Sequence, residues 1–70
     1  MAITQGEAES WTKKTGAVVE SHETSNGWGA TATLGQLSAT GSAPDEAEAR
    51  YVAIVALRKK VGKTNPNALW

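Results

Sequence analysis

Seven consecutive apolar residues, Tyr51 to Leu57, lie near the end of this chain between two groups of opposite charge. Acids precede the run and bases follow it, which is the order that a helix dipole favours. Ser42 is a typical N-cap, Pro44 is tolerated in a first turn, and Gly62 is a typical helix stop. The sequence therefore predicts a helix over residues 43–61. The acids are Asp45, Glu46 and Glu48, and the bases are Arg58, Lys59 and Lys60.

In a helix, the seven residues of this run point to every side, so two separate surfaces must cover them. One stripe is predicted to lie on a sheet and consists of Ala47, Tyr51, Ile54, Leu57 and Val61. Val52, Val55 and Ala56, with Lys59, form a second face. Its cover is either the chain's own first helix or tail, or another copy or protein partner; the expectation to test is a homodimer. A buried strand is a further interpretation, because Val, Ile and Tyr also favour strands.

The start of the chain predicts a short helix over residues 5–14. Thr4 and Glu7 have the spacing of a capping box, in which the two side chains satisfy each other's backbone N–H groups. Trp11 is its main apolar anchor, and Gly16 is suited to the left-handed turn that ends a helix.

The middle of the chain predicts three strands, and its stretch from Thr24 to Pro44 contains no charged residue. Residues 17–22 form the first strand, followed by a turn that contains Asn26 and Gly27. Residues 28–34 alternate between apolar and small polar side chains, which is typical of a strand with one buried face. The element order is therefore α-β-β-β-α, an α+β fold in which a three-stranded antiparallel sheet packs against both helices.

Gly35 predicts a tight hairpin, because glycine in the first central position is typical of a type II′ turn. This turn also predicts the register between the second and third strands. The paired residues are Leu34 with Leu37, Thr33 with Ser38, Ala32 with Ala39, and Thr31 with Thr40. One face of the sheet is then apolar, and the other presents hydroxyl groups without charge.

Length and composition favour one domain, residues 1–70, in which residues 63–70 form a C-terminal anchor tail. The chain has 70 residues, no cysteine and one histidine, so we expect no disulfide, metal or cofactor. Seven basic residues balance seven acidic ones, which gives no overall attraction to nucleic acid or to a membrane surface. Without a signal-like or membrane-spanning segment, we expect a cytoplasmic protein.

Two tryptophans are candidate partner-binding residues alongside the second face of the last helix. Trp28 lies between Gly27 and Gly29, whose bare backbone lets a ligand approach, although the simpler interpretation is that Trp28 is a core residue at the end of the apolar strand face. Trp70 ends an apolar tail that we expect to anchor on this chain or on a neighbour, so that deletion of residues 68–70 lowers the melting temperature.

A basic cluster at the end of the last helix is the alternative candidate site, since it could contact phosphates. Its members are Arg58, Lys59, Lys60 and Lys63. The simpler interpretation is favourable charge at a helix C-terminus. His22 lies near Glu20 and Glu23 but is interpreted as a solvated turn residue, so we expect no enzymatic site.

The order α-β-β-β-α, with the longest helix last, resembles the double-stranded-RNA-binding domain. That family holds phosphates with lysines at the start of its last helix. The corresponding positions here are Pro44, Asp45, Glu46 and Glu48. We therefore expect that double-stranded RNA is not a ligand.

Residues 28–61 contain a strand that begins at Trp28, a turn with Pro44, Asp45 and Glu46, and an Ala-rich helix that leads to Arg58, Lys59 and Lys60. This order is similar to the ending of small phage α-β-α sandwich proteins. The resemblance implies a phage or mobile-element accessory protein. Such a protein binds host machinery stoichiometrically, for example as an inhibitor of a defence system such as an anti-CRISPR. The alternative is a small nucleic-acid-binding accessory protein that uses the basic end of the last helix.

Overall fold

The computed structural model describes residues 4–64, with side chains through Gly62. Two helices and three strands follow one another in the predicted order. They are α1 (Gln5–Thr15), β1 (Val18–Thr24), β2 (Gly27–Leu34), β3 (Leu37–Ala43) and α2 (Glu46–Thr64). The strands form an antiparallel sheet in the order β1-β2-β3. The predicted α+β fold class is therefore confirmed. The Trp70 and anchor-tail predictions lie outside the described residues.

The predicted capping box begins α1. The Thr4 hydroxyl accepts a hydrogen bond from the Glu7 backbone N–H at 3.1 Å, and the Thr4 backbone N–H donates to the Glu7 carboxylate at 3.4 Å. Gly16 ends the helix in the left-handed conformation, with φ of +79°. Trp11 is completely buried, as expected of the anchor of this short helix.

Both hairpins have two-residue loops. The predicted register between β2 and β3 is confirmed, and Gly35 has the positive φ, +63°, that the tight turn requires. The first strand runs two residues beyond the predicted end at residue 22. The reason is that Glu23 and Thr24 continue to pair with β2, which leaves only residues 25–26 for the loop.

The last helix begins three residues later than predicted. Ser42 and Ala43 are the end of β3, where they pair with β2, so Ser42 cannot be the N-cap. Asp45 is the cap instead, because its carboxylate accepts from the Glu48 backbone N–H at 3.2 Å. Gly62 does not end the helix, which continues to Thr64. Within residues 4–64, neither helix is long and apolar enough to span a membrane.

Small residues let α2 lie very close to the sheet. The central residues of the buried sheet face are Ala30, Ala32, Ala39 and Gly41, and the helix presents Ala49 and Ala53. A Cβ atom on Gly41 would lie only 2.6 Å from the Ala53 backbone nitrogen. Ile54, Leu57 and Val61 are buried as predicted, but Ala47 is exposed and Tyr51 is half-buried. The buried stripe is thus rotated toward Ala49 and Ala53.

Arg50 ties the two helices together on the β1 side. Its guanidinium donates to both oxygens of Glu9, at 3.1 and 3.0 Å, and to the Val19 carbonyl at 3.4 Å. The hydrogen bonds to Glu9 raise the pKa of Arg50; burial opposes this effect, and the charges of Glu9 and Glu46 add to it. Arg50 therefore keeps its charge, and the pair orients α1 against α2.

Candidate functional site

Within residues 4–64, both helices pack on one face of the sheet, and neither helix covers the other face. Residues of α1 and α2 share a single core with Ala30, Ala32 and Ala39 of the sheet. The strand register places the alternate residues on the opposite side, which we call the open face. It comprises Val18, Glu20, His22, Thr24, Gly29, Thr31, Thr33, Ser38, Thr40 and Ser42. This face contains hydroxyl groups and a single carboxylate but no lysine or arginine.

A shallow hollow of about 380 Å³ lies on the open face around Gly29. His22 is opposite Gly29 in the register, and a Cβ on Gly29 would lie 2.9 Å from the imidazole Nε2. The imidazole therefore rests on the glycine backbone, within β1 rather than in the predicted turn. The hydroxyls of Thr24, Thr31 and Ser42 lie nearby. The hollow offers hydrogen bonds, and among residues 4–64 no three metal-ligating side chains cluster.

The second candidate surface lies where β3 forms an edge of the sheet. We define the edge surface as the outer edge of β3 with Val52, Ala56, Lys59 and Lys60 of α2. The Val52 side chain would lie 2.8 Å from a Cβ on Gly41, and it is 39% exposed. The Lys60 ammonium donates to the Ser38 carbonyl. These two contacts show that α2 runs antiparallel to β3 and presents this side to the edge.

The predicted second face of α2 is only partly at this edge. Val52 and Ala56 are one helical turn apart and share a side, whereas Val55 is rotated about 60° from Val52, away from the β3 edge. Ala56 packs partly against the core, Val55 is half-buried and Lys59 is exposed. The apolar part that remains for a partner therefore centres on Val52.

Trp28 is half-buried at the end of the sheet, where it packs against the core. The neighbouring glycines are closely packed in the direction that an added side chain would take. A Cβ on Gly27 would lie 2.6 Å from the Ala43 carbonyl oxygen, and Gly29 is covered by His22. At both glycines the chain itself therefore occupies the position of an added side chain, and the expectation that a ligand approaches their backbone stays a prediction. A hollow of about 240 Å³ remains between Trp28 and Pro44.

The basic residues of α2 do not point in one direction, because successive helical residues are about 100° apart. Arg58 is half-buried, with its Nε buried. Lys59 is exposed, and Lys60 reaches the Ser38 carbonyl on β3. The Lys63 side chain lies outside the described part of the chain. The structure therefore brings Lys59 and Lys60 toward the edge surface but directs Arg58 away from it.

The edge position of β3 is the candidate feature that sequence reasoning did not identify. The lack of charge between Thr24 and Pro44 was its only available signal. Comparisons with protein-family models, curated proteins and solved structures found no match to this chain. Its function is therefore argued from its own surfaces.

Proposed function

We propose that this chain is a non-enzymatic protein-binding module whose edge surface receives a partner. The observation that carries the proposal is the edge strand β3, which has seven residues and neither charge nor proline. Natural proteins usually protect such edges with charges, prolines or bulges, since unpaired backbone groups recruit other strands. Strand addition at an open edge is a recurrent mode of protein recognition.

Exposed apolar surface beside the strand supports a protein partner. The Val52 side chain lies next to the β3 backbone, and Ala56 follows one turn later. An added strand would gain backbone hydrogen bonds from β3 and apolar contact from α2. The Lys60 ammonium already donates to one outward backbone group of β3, the Ser38 carbonyl. This contact is exposed, so a backbone N–H of an added strand can easily replace it.

The distribution of charge favours protein over nucleic acid as the partner. The net charge is zero, and the first turn of α2 carries Glu46 and Glu48. Lysine and arginine supply the electrostatic attraction to phosphates, and neither occurs on the open face. The nucleic-acid alternative therefore depends on the exposed Lys59 and its neighbours at the other end of α2.

The resemblance of residues 28–61 to small phage proteins suggests the setting for such binding. We propose a phage or mobile-element accessory protein that acts in the host cytoplasm by stoichiometric association with host machinery, and an inhibitor of a defence system is the form that we favour. A short module without a cofactor acts by occupying a surface, so its effect should scale with its amount relative to its target.

Affinity capture from host extract tests the proposal with three tagged proteins. They are the unaltered chain, Val52→Lys in the edge surface, and Val18→Lys on the open face, where Val18 is 58% exposed. A partner held by the edge surface should be retained in stoichiometric amount by the unaltered chain and by Val18→Lys, and lost from Val52→Lys. Equal retention by all three folded proteins would refute the edge surface as the binding site. Release of the captured material by nuclease would instead support nucleic acid.

A further inference from the structure

We infer that a second copy of this chain binds the edge surface, so that two β3 strands pair antiparallel about a two-fold axis at Thr40 and complete a six-stranded sheet. This inference rests on the proposed function, because it uses the same edge surface: the second copy occupies that surface in the purified protein, and a host partner must displace it to bind. Three properties of the described residues support it: the backbone groups that β3 turns outward, the absence of charge along β3, and the placement of α2.

The outward backbone groups of β3 are arranged symmetrically. The two-residue loop makes Leu34 and Leu37 the closing, hydrogen-bonded pair of the hairpin. In an antiparallel pair only alternate residues bond to the neighbouring strand, so Leu37, Ala39, Gly41 and Ala43 bond to β2. Ser38, Thr40 and Ser42 therefore direct their N–H and C=O groups outward, in agreement with the Lys60 contact to the Ser38 carbonyl. Pairing about Thr40 joins Ser38 to Ser42 of the second copy and satisfies all three residues in each chain.

The two edges of the sheet differ in their ability to pair with themselves. The β3 sequence, Leu37–Ala43, contains no charged residue, so two copies meet without repulsion. The β1 edge carries Glu20 and Glu23, and two copies of it would bring four carboxylates into one seam. Like charges on paired strands are destabilising. Self-association is therefore favoured at β3.

The helices would also meet at a suitable distance. α2 contacts β3 most and β2 next, so its axis lies roughly between these strands. Neighbouring strands are about 4.8 Å apart, so each helix axis lies about 2.4 Å inward from its own β3 strand. The two-fold axis lies about 2.4 Å outward from the same strand, which makes the distance between the two helix axes about 10 Å. This spacing is typical of packed helices, which lie about 8–10 Å apart. This spacing would bring the two helices into direct contact.

The residues of α2 complement each other in this arrangement. Within one chain, Gly41 lies beside Val52, and Ser38 lies beside Lys60. A two-fold axis at Thr40 therefore passes near Ala56, which lies midway between Val52 and Lys60. The small side chain of Ala56 permits close approach of the two helices. Val52 then faces the aliphatic stem of Lys60 of the second copy. The helices run antiparallel, so the acidic first turn with Glu48 faces the basic end of the other helix. When the Ser38 carbonyl accepts from Ser42 of the second copy instead of from Lys60, the Lys60 ammonium is free to contact the acidic first turn of the other helix.

Sedimentation and thiol cross-linking of the purified full chain test the inference. The chain has no cysteine, so a single substitution reports one position. Directly opposite bonded residues have Cα atoms about 5.5 Å apart, within the range that a disulfide spans. We expect a dimer at micromolar concentration, rapid oxidation of Thr40→Cys to a covalent dimer, and no cross-link from Thr33→Cys on the central strand. Val52→Lys should weaken the dimer at least tenfold while its circular dichroism spectrum stays unchanged.

Three other results would overturn the inference, and each can be distinguished from failure of the proposed function. A chain that sediments as a monomer at high micromolar concentration excludes the second copy; the proposed function then still stands if Val52→Lys loses a host partner. A chain that dimerises only after deletion of residues 65–70 identifies the tail as the occupant. A dimer unaffected by Val52→Lys and not cross-linked through Thr40→Cys assigns the contact to another surface.

Discussion

Gly41 shows how strongly one residue controls the spacing between sheet and helix. A Cβ at this position would lie 2.6 Å from the Ala53 backbone nitrogen and 2.8 Å from the Val52 side chain. The nearest atom belongs to the backbone of a helix, so it cannot move by rotation of a side chain. Any side chain at this position must push α2 away from the sheet and separate the alanines on both surfaces.

We expect Gly41→Ala to lower the free energy of unfolding by about 2 kcal/mol, a typical cost of overpacking. For a domain of this size, that corresponds to a melting temperature lower by roughly 10 °C. Gly6→Ala is the matched control, because nothing lies within 4 Å of its added Cβ and the residue lies in α1. It should stabilise the protein by about 0.5 to 1 kcal/mol.

Urea and thermal unfolding of the two variants measure both effects. If Gly41→Ala proved as stable as the unaltered chain, the close approach of β3 to α2 would be wrong. The dimer contact of Val52 would then lose its geometric basis, because it depends on the same approach.

The junction of β3 and α2 shows how one element limits the next. Ser42 and Ala43 keep pairing with β2, so only residues 44–45 are left to reverse the chain. The helix therefore starts at Glu46, where Asp45 supplies the cap for the Glu48 N–H. The short connection also holds α2 antiparallel to β3, which is what places Val52 at the edge of the sheet.

Asp45→Ala should lower the free energy of unfolding by about 1 kcal/mol, because it removes the N-cap and a negative charge at the positive end of α2. Ser42→Ala tests the alternative cap and should change stability by less than about 0.5 kcal/mol, since Ser42 is exposed on β3. Chemical denaturation of both variants gives the comparison. A larger loss for Ser42→Ala than for Asp45→Ala would restore the cap predicted from the sequence.

At the scale of the whole molecule, charge is balanced in total but divided in space. The sheet face opposite the helices has no lysine or arginine, the start of α2 is acidic, and Lys59 and Lys60 lie on the β3 side of its second half. This division is unsuited to a phosphate backbone, which would meet carboxylates at one end of α2. It suits antiparallel contact between two copies.

We expect no sub-micromolar binding of double-stranded RNA at physiological salt. Gel shifts at two salt concentrations test this, because phosphate contacts release counterions and weaken steeply as salt rises. Lys59→Glu is the informative variant, since Lys59 is exposed at the basic end. Tight binding that falls with salt and with Lys59→Glu would contradict the expectation and support the nucleic-acid alternative.

Local chemistry determined much of this fold. The capping box of Thr4 and Glu7, the αL glycine at position 16 and the turn at Gly35 act within a few residues, so the sequence alone predicted α1 and the β2–β3 register correctly. Alternation of Ala30 and Ala32 with threonines likewise identified the buried face. These features depend on backbone geometry and on side-chain period, which are readable without knowledge of distant contacts.

Tertiary structure decided what depends on distant neighbours. Whether Ser42 belonged to a strand or to a helix cap depended on its pairing with β2, and the rotation of α2 depended on the small residues beneath it. The ion pair between Arg50 of α2 and Glu9 of α1 likewise joins residues that are far apart in the sequence. The edge surface exists only because β3 is last in the sheet and α2 returns along it. A linear pattern shows that β3 is uncharged, but only the assembled sheet shows that, among residues 4–64, no further strand lies beside its outer backbone groups.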